Sequence, residues 1–224
     1  MSATETTDET FGPFRLTLER LTDEGQALDA VAAALSREGG GEVDEARLEE
    51  LCPYFGVIWP GARALAEAVA DMGRPGIDGC RVIELGCGLA APSLVAGLLG
   101  ADVLATDYHP DVPGLLARNV ARNAVPGVRY QAVDLRREED VPTGFDLVLV
   151  ADVTYVPDLP PLVARAIDRA LGPGGRALVT DPGRPYLQAF VDMVEARGFL
   201  CSIQIRTVVD PPRTREVFVL ELAR

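Results

Sequence analysis

The chain has 224 residues, enough to bury a core of its own as a single domain, and its 48% hydrophobic and 25% charged residues are the balance of a globular protein. A formal net charge of -13 speaks against a general phosphate-binding surface, which needs clustered basic residues, so nucleic acid is not an expected partner. The acidic balance suits a basic partner or a cationic substrate instead. All 21 basic residues are arginine. Cys52, Cys80, Cys87 and Cys201 share no metal-ligand spacing, and His109 is the single histidine, so no metal site is expected. Scattered cysteines without a basic-then-apolar leader point to a reducing cytoplasm. The uncharged run 85–101 contains Gly and Pro and is too short to span a bilayer, so no membrane partner is expected.

Residues 1–10 are polar and read as a disordered start. Alternation over 14–18 predicts a short strand. Residues 23–37 predict a helix with Leu28, Val31 and Leu35 on one side, closed by Gly39, Gly40 and Gly41, and 44–51 predict a short helix. The segment 1–51 thus reads as a partly helical N-terminal extension, and 52–224 as the main domain. Residues 52–60 are irregular and aromatic, and 62–72 predict a helix. Strands at 80–85, 102–106, 128–131, 145–150 and 175–180 then alternate with helices at 91–99, 111–123, 158–171 and 186–196. That alternation means an α/β fold, a doubly wound parallel sheet covered on both faces. The last two strands, 199–206 and 215–222, are separated only by a loop containing Asp210, Pro211 and Pro212. No crossover helix fits there, so they should pair as an antiparallel hairpin.

The run 81–89 carries the strongest signal. Val82, Ile83 and Leu85 make a buried strand that enters a turn at Gly86 and Gly88, where missing Cβ atoms let a ligand lie against the backbone. Pro92 suits the first turn of the following helix. Residues 101–107 read as a second strand ending in Asp107. An acid about 20 residues past such glycines is where a ribose diol is gripped, so a nucleoside cofactor is expected. The run 86–91 fits two patterns. With Ala91 in the last glycine position it fits a dinucleotide fingerprint. It also resembles the acid-Leu-Gly-x-Gly motif of seven-strand S-adenosylmethionine-dependent methyltransferases. Three features favour the second. The closing hairpin matches the reversed seventh strand of that fold. No separate substrate domain, of the kind most dehydrogenases need, is evident. And the run 150–155 places Asp152 and Tyr155 at the carboxyl edge of the sheet, where doubly wound folds bind ligands.

The resemblance sharpens over roughly residues 52–200. Asp152-x-x-Tyr155 resembles the acid-x-x-aromatic motif of methyltransferase family 16, the protein-lysine methyltransferases. Trp59-Pro60-Gly61 followed by Leu65 is similar to that family's segment before the first fold helix. Asp181-Pro182-Gly183-Arg184-Pro185 resembles a run in the electron-transfer-flavoprotein β-subunit lysine methyltransferases and their bacterial relatives. Ala90 stands where a third glycine is usual. The resemblance implies a Rossmann-like, seven-stranded, mostly parallel sheet and S-adenosyl-L-methionine as cofactor.

Gly86 and Gly88 are expected to let the methionine and ribose parts of that cofactor approach the backbone. Asp107 should accept hydrogen bonds from the ribose hydroxyls, or else cap a helix, a role for which Asp111 competes. Glu84 either holds the cofactor's amino group through water or makes a structural hydrogen bond at the strand end. Tyr108 either lies against the adenine or is an ordinary loop aromatic, and His109 is read as a loop residue. By resemblance, Asp134 faces the adenine amino group and Leu135 offers its backbone N–H. Trp59 packs on the cofactor or fills space beside the sheet. Asp152 and Tyr155 are the candidate catalytic residues, lining the path by which the methyl group leaves. Asp152 would orient an amine and Tyr155 would offer it a ring face. The competing role for Asp152 is a helix cap, with Asp158 closer to the next helix. Arg184 either meets an acidic group on a partner or braces a loop.

These readings converge on an S-adenosylmethionine-dependent N-methyltransferase acting on a lysine of a protein substrate. The alternatives are a small-molecule N-methyltransferase acting on a nicotinamide-like compound or an amine, a nicotinamide-dinucleotide oxidoreductase, and an inactive cofactor-binding interaction module.

Overall fold

The computed structural model describes residues 3–38, 43 and 45–224; Gly39, Gly40 and Gly41 as a helix stop, and Asp44 as a helix start, lie outside the described residues. The polar start predicts disorder, yet strand β1 (Thr4–Phe11) pairs antiparallel with β2 (Phe14–Leu21). Composition misleads here because β1 turns a polar, β-branched face to solvent, and its acids are paired. Arg20 bonds Glu5 and Arg15 bonds Asp8, each at 2.7 Å, and Arg63 reaches Glu9 at 2.7 Å.

Helices α1 (Glu24–Glu38) and α2 (Glu45–Glu50) follow, and the Gln26 N–H donates to Asp23 Oδ1 at 2.9 Å where α1 begins. A single 3-10 turn (Tyr54–Gly56) leads into α3 (Pro60–Ile77), which is interrupted at Gly73, where φ is 60° and ψ -179°. The chain then alternates through β3 (Arg81–Leu85), α4 (Ala91–Leu98), β4 (Asp102–Asp107), α5 (Val112–Arg122), β5 (Val128–Ala132), β6 (Phe145–Ala151), α6 (Leu159–Ala170), β7 (Leu171–Asp181) and α7 (Leu187–Ala196). It closes with β8 (Leu200–Asp210) and β9 (Arg213–Ala223). Strand β7 starts earlier than its sequence suggests. The ladder against β6 skips from Leu171 opposite Phe145 to Arg176 opposite Leu147, so residues 172–175 form an irregularity ahead of the regularly paired part of the strand.

The seven-stranded sheet has the order β5-β4-β3-β6-β7-β9-β8. β9 is antiparallel to both neighbours, and the other pairs are parallel. Alternate side chains fill two cores. Val82, Val103, Leu147 and Leu149 pack with residues of α3, α4 and α5, while Ile83, Leu85, Val148 and Val150 pack with α6 and α7. The chain runs outward from β3 through β4 to β5, then returns to place β6 on the other side of β3. This reversal opens a crevice beyond the carboxyl ends of β3 and β6, the position at which doubly wound sheets take ligands.

The N-terminal hairpin packs against α3 and α5 and does not itself line the crevice. Asn119 on α5 and Asn123, which caps its C-terminus, bond the backbone of β2: Glu19 N–H to Asn119 Oδ1 at 2.7 Å and Thr17 N–H to Asn123 Oδ1 at 2.8 Å. Their amides occupy an edge that would otherwise be open. Glu19 accepts from Arg118 and Arg122, which hold its carboxyl down to about 2. At the hairpin's end, Leu21 packs so closely under Gly56 that a side chain at Gly56 would overlap it. The aromatic segment after α2 is thereby pinned over the sheet.

Candidate active site

The crevice holds a cavity of about 350 Å³ lined by all ten site residues expected from the sequence: Trp59, Glu84, Gly86, Gly88, Asp107, Tyr108, Asp134, Leu135, Asp152 and Tyr155. Gly86 and Gly88 have φ of 70° and 49°. A Cβ on Gly86 would come within 2.8 Å of Val153, and one on Gly88 within 3.1 Å of the Phe55 carbonyl. Both therefore need glycine for backbone conformation and for close approach. Ala90, in the place of a third glycine, has φ 59° just before α4, a left-handed conformation that costs a non-glycine residue about 1–2 kcal/mol.

Asp107 does not cap α5. Its carboxylate accepts the Gly88 N–H and the His109 N–H, each at 3.0 Å, so it clamps the glycine turn to the end of β4. Burial pushes its pKa up, and those two N–H groups oppose the shift. Glu84 is buried against the start of α4, where it accepts the Ser93 N–H at 3.0 Å and a short bond from the Ser93 hydroxyl. The structural reading of Glu84 is thus realised, although the side chain also lines the cavity. Burial pushes its pKa up to about 8 against the opposing Ser93 bonds. The folded chain keeps this proton at pH values where the unfolded chain, titrating at 4.5, has lost it. Its contribution to stability is therefore complete below pH 4.5 and declines as the pH rises to about 8. Glu84→Gln is expected to flatten the fall of melting temperature over that interval. A slope equal to that of the parent chain would show that Glu84 does not titrate there.

Asp134 accepts from the Arg136 side chain at 2.8 Å and its backbone N–H at 3.0 Å, and these contacts hold its carboxyl below the usual range. The Arg136 guanidinium lies 5.7 Å from the Tyr108 ring centroid, so the acid, the cation and the aromatic form one corner of the cavity. Leu135 sits between them and accepts Arg165 on its carbonyl at 3.2 Å.

The opposite wall is built around Asp152. Its φ is 56°, a left-handed conformation that Asp tolerates better than most residues. Its Oδ2 accepts the Gly61 N–H at 2.6 Å and its Oδ1 accepts Arg184 Nη2 at 2.9 Å. Asp152 thus caps α3, not the helix that follows it, while Asp158 precedes α6 without a side-chain cap bond. Burial raises the Asp152 pKa and Arg184 opposes it. Gly61 must be glycine, because a side chain there would overlap the Asp152 carboxylate. Trp59 immediately precedes α3, donates its indole N–H to the Tyr54 carbonyl at 2.8 Å and lies 5.9 Å from the Arg184 guanidinium.

Sequence reasoning missed Tyr54 and Phe55. The Tyr54 ring meets Trp59 edge-on at 6.0 Å and Tyr155 at 5.6 Å, completing an aromatic trio at the cavity. A bond to Cys52, with burial, pushes the Tyr54 hydroxyl up to about 12. Phe55 packs on the buried His109 ring at 4.2 Å. The aromatic, irregular stretch ahead of Trp59 was the signal available for both.

Solved structures share this fold. The precorrin-6y C5,15-methyltransferase of Geobacter metallireducens superposes with a TM-score of 0.61 at 16% identity, over 75% of this chain and 90% of that one. A TehB-like SAM-dependent methyltransferase of Corynebacterium glutamicum gives 0.55 at 20% identity, over 80% and 95%. Among curated proteins, the electron transfer flavoprotein beta subunit lysine methyltransferase of Xenopus laevis is 32% identical over 134 residues, 59% of this chain and 53% of that protein. The protein N-lysine methyltransferase METTL21A of Danio rerio is 40% identical over 106 residues, 44% of this chain and 47% of that protein. The chain spans about half the length of the curated relatives it matches. A family model described as lysine methyltransferase matches residues 50–195. That span is well over half of the chain and includes Trp59, Asp152, Tyr155 and Arg184, and it decides the glycine turn against the dinucleotide alternative: the chain belongs to the lysine methyltransferase family, whose cofactor is S-adenosylmethionine.

Proposed function

We propose that this chain transfers a methyl group from S-adenosylmethionine to the side-chain amine of a lysine in another protein. The observation that carries the proposal is the convergence of the glycine turn, Asp107 and the Asp152–Tyr155 pair on one cavity, in a chain of this family. A volume of about 350 Å³ falls within the range of small-molecule sites, and the missing Cβ atoms of Gly86 and Gly88 leave a cradle for a nucleoside. Asp107 suits a ribose diol, and Glu84, which burial keeps largely protonated at neutral pH, suits a cationic amino group once that charge draws off its proton. Asp134, Leu135 and Tyr108 then fall to the adenine end, and Trp59 to the sulfonium end. The same reading takes residues 1–51 as an extension that shapes acceptor choice and the cytoplasm as the setting. No helix among the described residues is long and apolar enough to cross a membrane.

The cofactor supplies a methyl group on a sulfonium sulfur, which is released as a thioether once nitrogen takes the methyl. The chain has to deliver a neutral amine in line with that carbon, and positioning then provides most of the rate. A lysine amine has an unperturbed pKa near 10.4, so it must give a proton to solvent first. Tyr54 and Tyr155 are exposed at the cavity mouth, so it is the acceptor side chain, by filling the passage between the rings, that sheds its water, and that desolvation favours the neutral form. Tyr155 presents a ring face to the charge that develops on nitrogen. Tyr155→Ala is therefore expected to lower turnover about tenfold or more, and Tyr155→Phe by much less, since loss of a desolvated cation–π contact costs about 2 kcal/mol. Equal losses in the two variants would assign the role to the hydroxyl.

The test of the reading is mass spectrometry of a host-cell lysate incubated with the enzyme and isotopically labelled cofactor. Label is expected on lysines of other proteins and not on the enzyme, which has no lysine. The acidic net charge should speed encounter with lysine-rich patches at low salt. Label confined to the small-molecule fraction would favour the small-molecule alternative. Cofactor binding with no transfer to any fraction would favour the inactive module.

A further inference from the structure

We propose that Arg184 is a positioning residue for methyl transfer: its guanidinium balances the Asp152 carboxylate, so that the lysine side chain entering beside Asp152 is held as a neutral amine. The proposal rests on the lysine-methyltransferase reading above. Arg184 does not line the cavity, so it acts through Asp152, which does.

The placement of Arg184 is closely specified. Asp181, at the end of β7, accepts the Gly183 N–H at 2.7 Å and the Arg184 N–H at 2.6 Å on one oxygen. Its other oxygen takes a short bond from the Thr154 hydroxyl. The loop after β7 is thereby tied to the connection that carries Asp152 and Tyr155. From it, Arg184 reaches back to Asp152 Oδ1 at 2.9 Å, with the Trp59 ring near its guanidinium. A second tie, from the Thr180 hydroxyl to the Gly61 carbonyl at 2.9 Å, holds the start of α3 against the same strand. The Asp-Pro-Gly-Arg run thus builds a bracket whose product is one cation behind one buried carboxylate.

The charges around Asp152 are few. The loop after β7 brings Arg184 and Asp181, and α3 brings the Gly61 N–H. Its own connection brings Tyr155 and Asp158, both on the cavity wall. A lone carboxylate at this wall would stabilise an incoming lysine as the ammonium, which has no lone pair to attack with. Paired with Arg184, Asp152 still has unused lone pairs to orient an amine but exerts little net charge.

The test compares the wild type with R184M, R184K and the double variant D152N/R184M. Initial rates of labelled methyl transfer into lysate protein are measured from about pH 6.5 to about pH 10, spanning the rise in neutral amine. Calorimetry with S-adenosylhomocysteine and the emission of Trp59, the single tryptophan, show in each case that the cavity is formed. R184M is expected to bind S-adenosylhomocysteine as the wild type does. It should be about tenfold slower at neutral pH and approach the wild type at the alkaline end, a shift of about one pH unit in the rising limb. R184K should keep the wild-type limb. The double variant, which removes both charges, should be slow throughout because Asp152 is lost, but its rate should rise at the same pH as that of the wild type. A uniform loss in R184M at every pH, with an unshifted limb, would overturn the proposal. So would loss of S-adenosylhomocysteine binding by R184M and R184K alike, which would mark a purely structural brace. A wild type that binds S-adenosylhomocysteine but methylates no protein at any pH would remove the underlying reading, and the proposal with it.

Discussion

Replacing Asp107 with alanine is expected to weaken S-adenosylhomocysteine binding by about 100-fold or more, as read by titration calorimetry. Two charge-assisted hydrogen bonds to a ribose diol are each worth roughly 1.5–3 kcal/mol, and each 1.4 kcal/mol is about tenfold in affinity. The structure adds a second loss. The same carboxylate holds the Gly88 and His109 N–H groups at 3.0 Å, so the alanine variant also releases the glycine turn. Asp107→Asn separates the two effects, since its single carbonyl can accept only part of this set. An intermediate affinity is expected for it. Unchanged affinity in Asp107→Ala would move the ribose contact elsewhere in the cavity.

Asp152→Asn is expected to keep S-adenosylhomocysteine binding and to lose about 100-fold or more of methyl transfer, comparable to removing one charge-stabilising group from a catalytic site. The carboxylate accepts from two donors, the Gly61 N–H at 2.6 Å and Arg184 at 2.9 Å. An asparagine can satisfy only one of them with its carbonyl and turns its NH2 toward the other. The variant also leaves the Arg184 charge unbalanced beside a nitrogen that becomes positive as it is methylated. A stability loss of about 1–3 kcal/mol should accompany the change, because a buried donor loses its partner. Melting temperature, calorimetry and labelled transfer measured on one preparation check all three effects. Normal turnover would make Asp152 a helix cap and nothing more.

The alternation of strands and helices, the reversed final strand, the glycine turn and its acid are all legible along the chain. These are local properties. Val82, Ile83 and Leu85 form a strand with both faces buried, and Gly86 and Gly88 turn because glycine adopts their positive φ at no steric cost. Asp107 follows the turn by a spacing set by one helix and one strand. Local composition failed at β1, whose threonines and acids look unstructured until β2 and the arginines of other elements meet them. It also could not assign Asp152, whose partners lie 91 and 32 residues away. Only the tertiary structure brought Gly61 and Arg184 to that carboxylate and set Tyr54 between Trp59 and Tyr155. The reason is physical: strands and turns are fixed by neighbours along the chain, whereas the charge balance and walls of the site depend on which distant segments the folded sheet holds side by side.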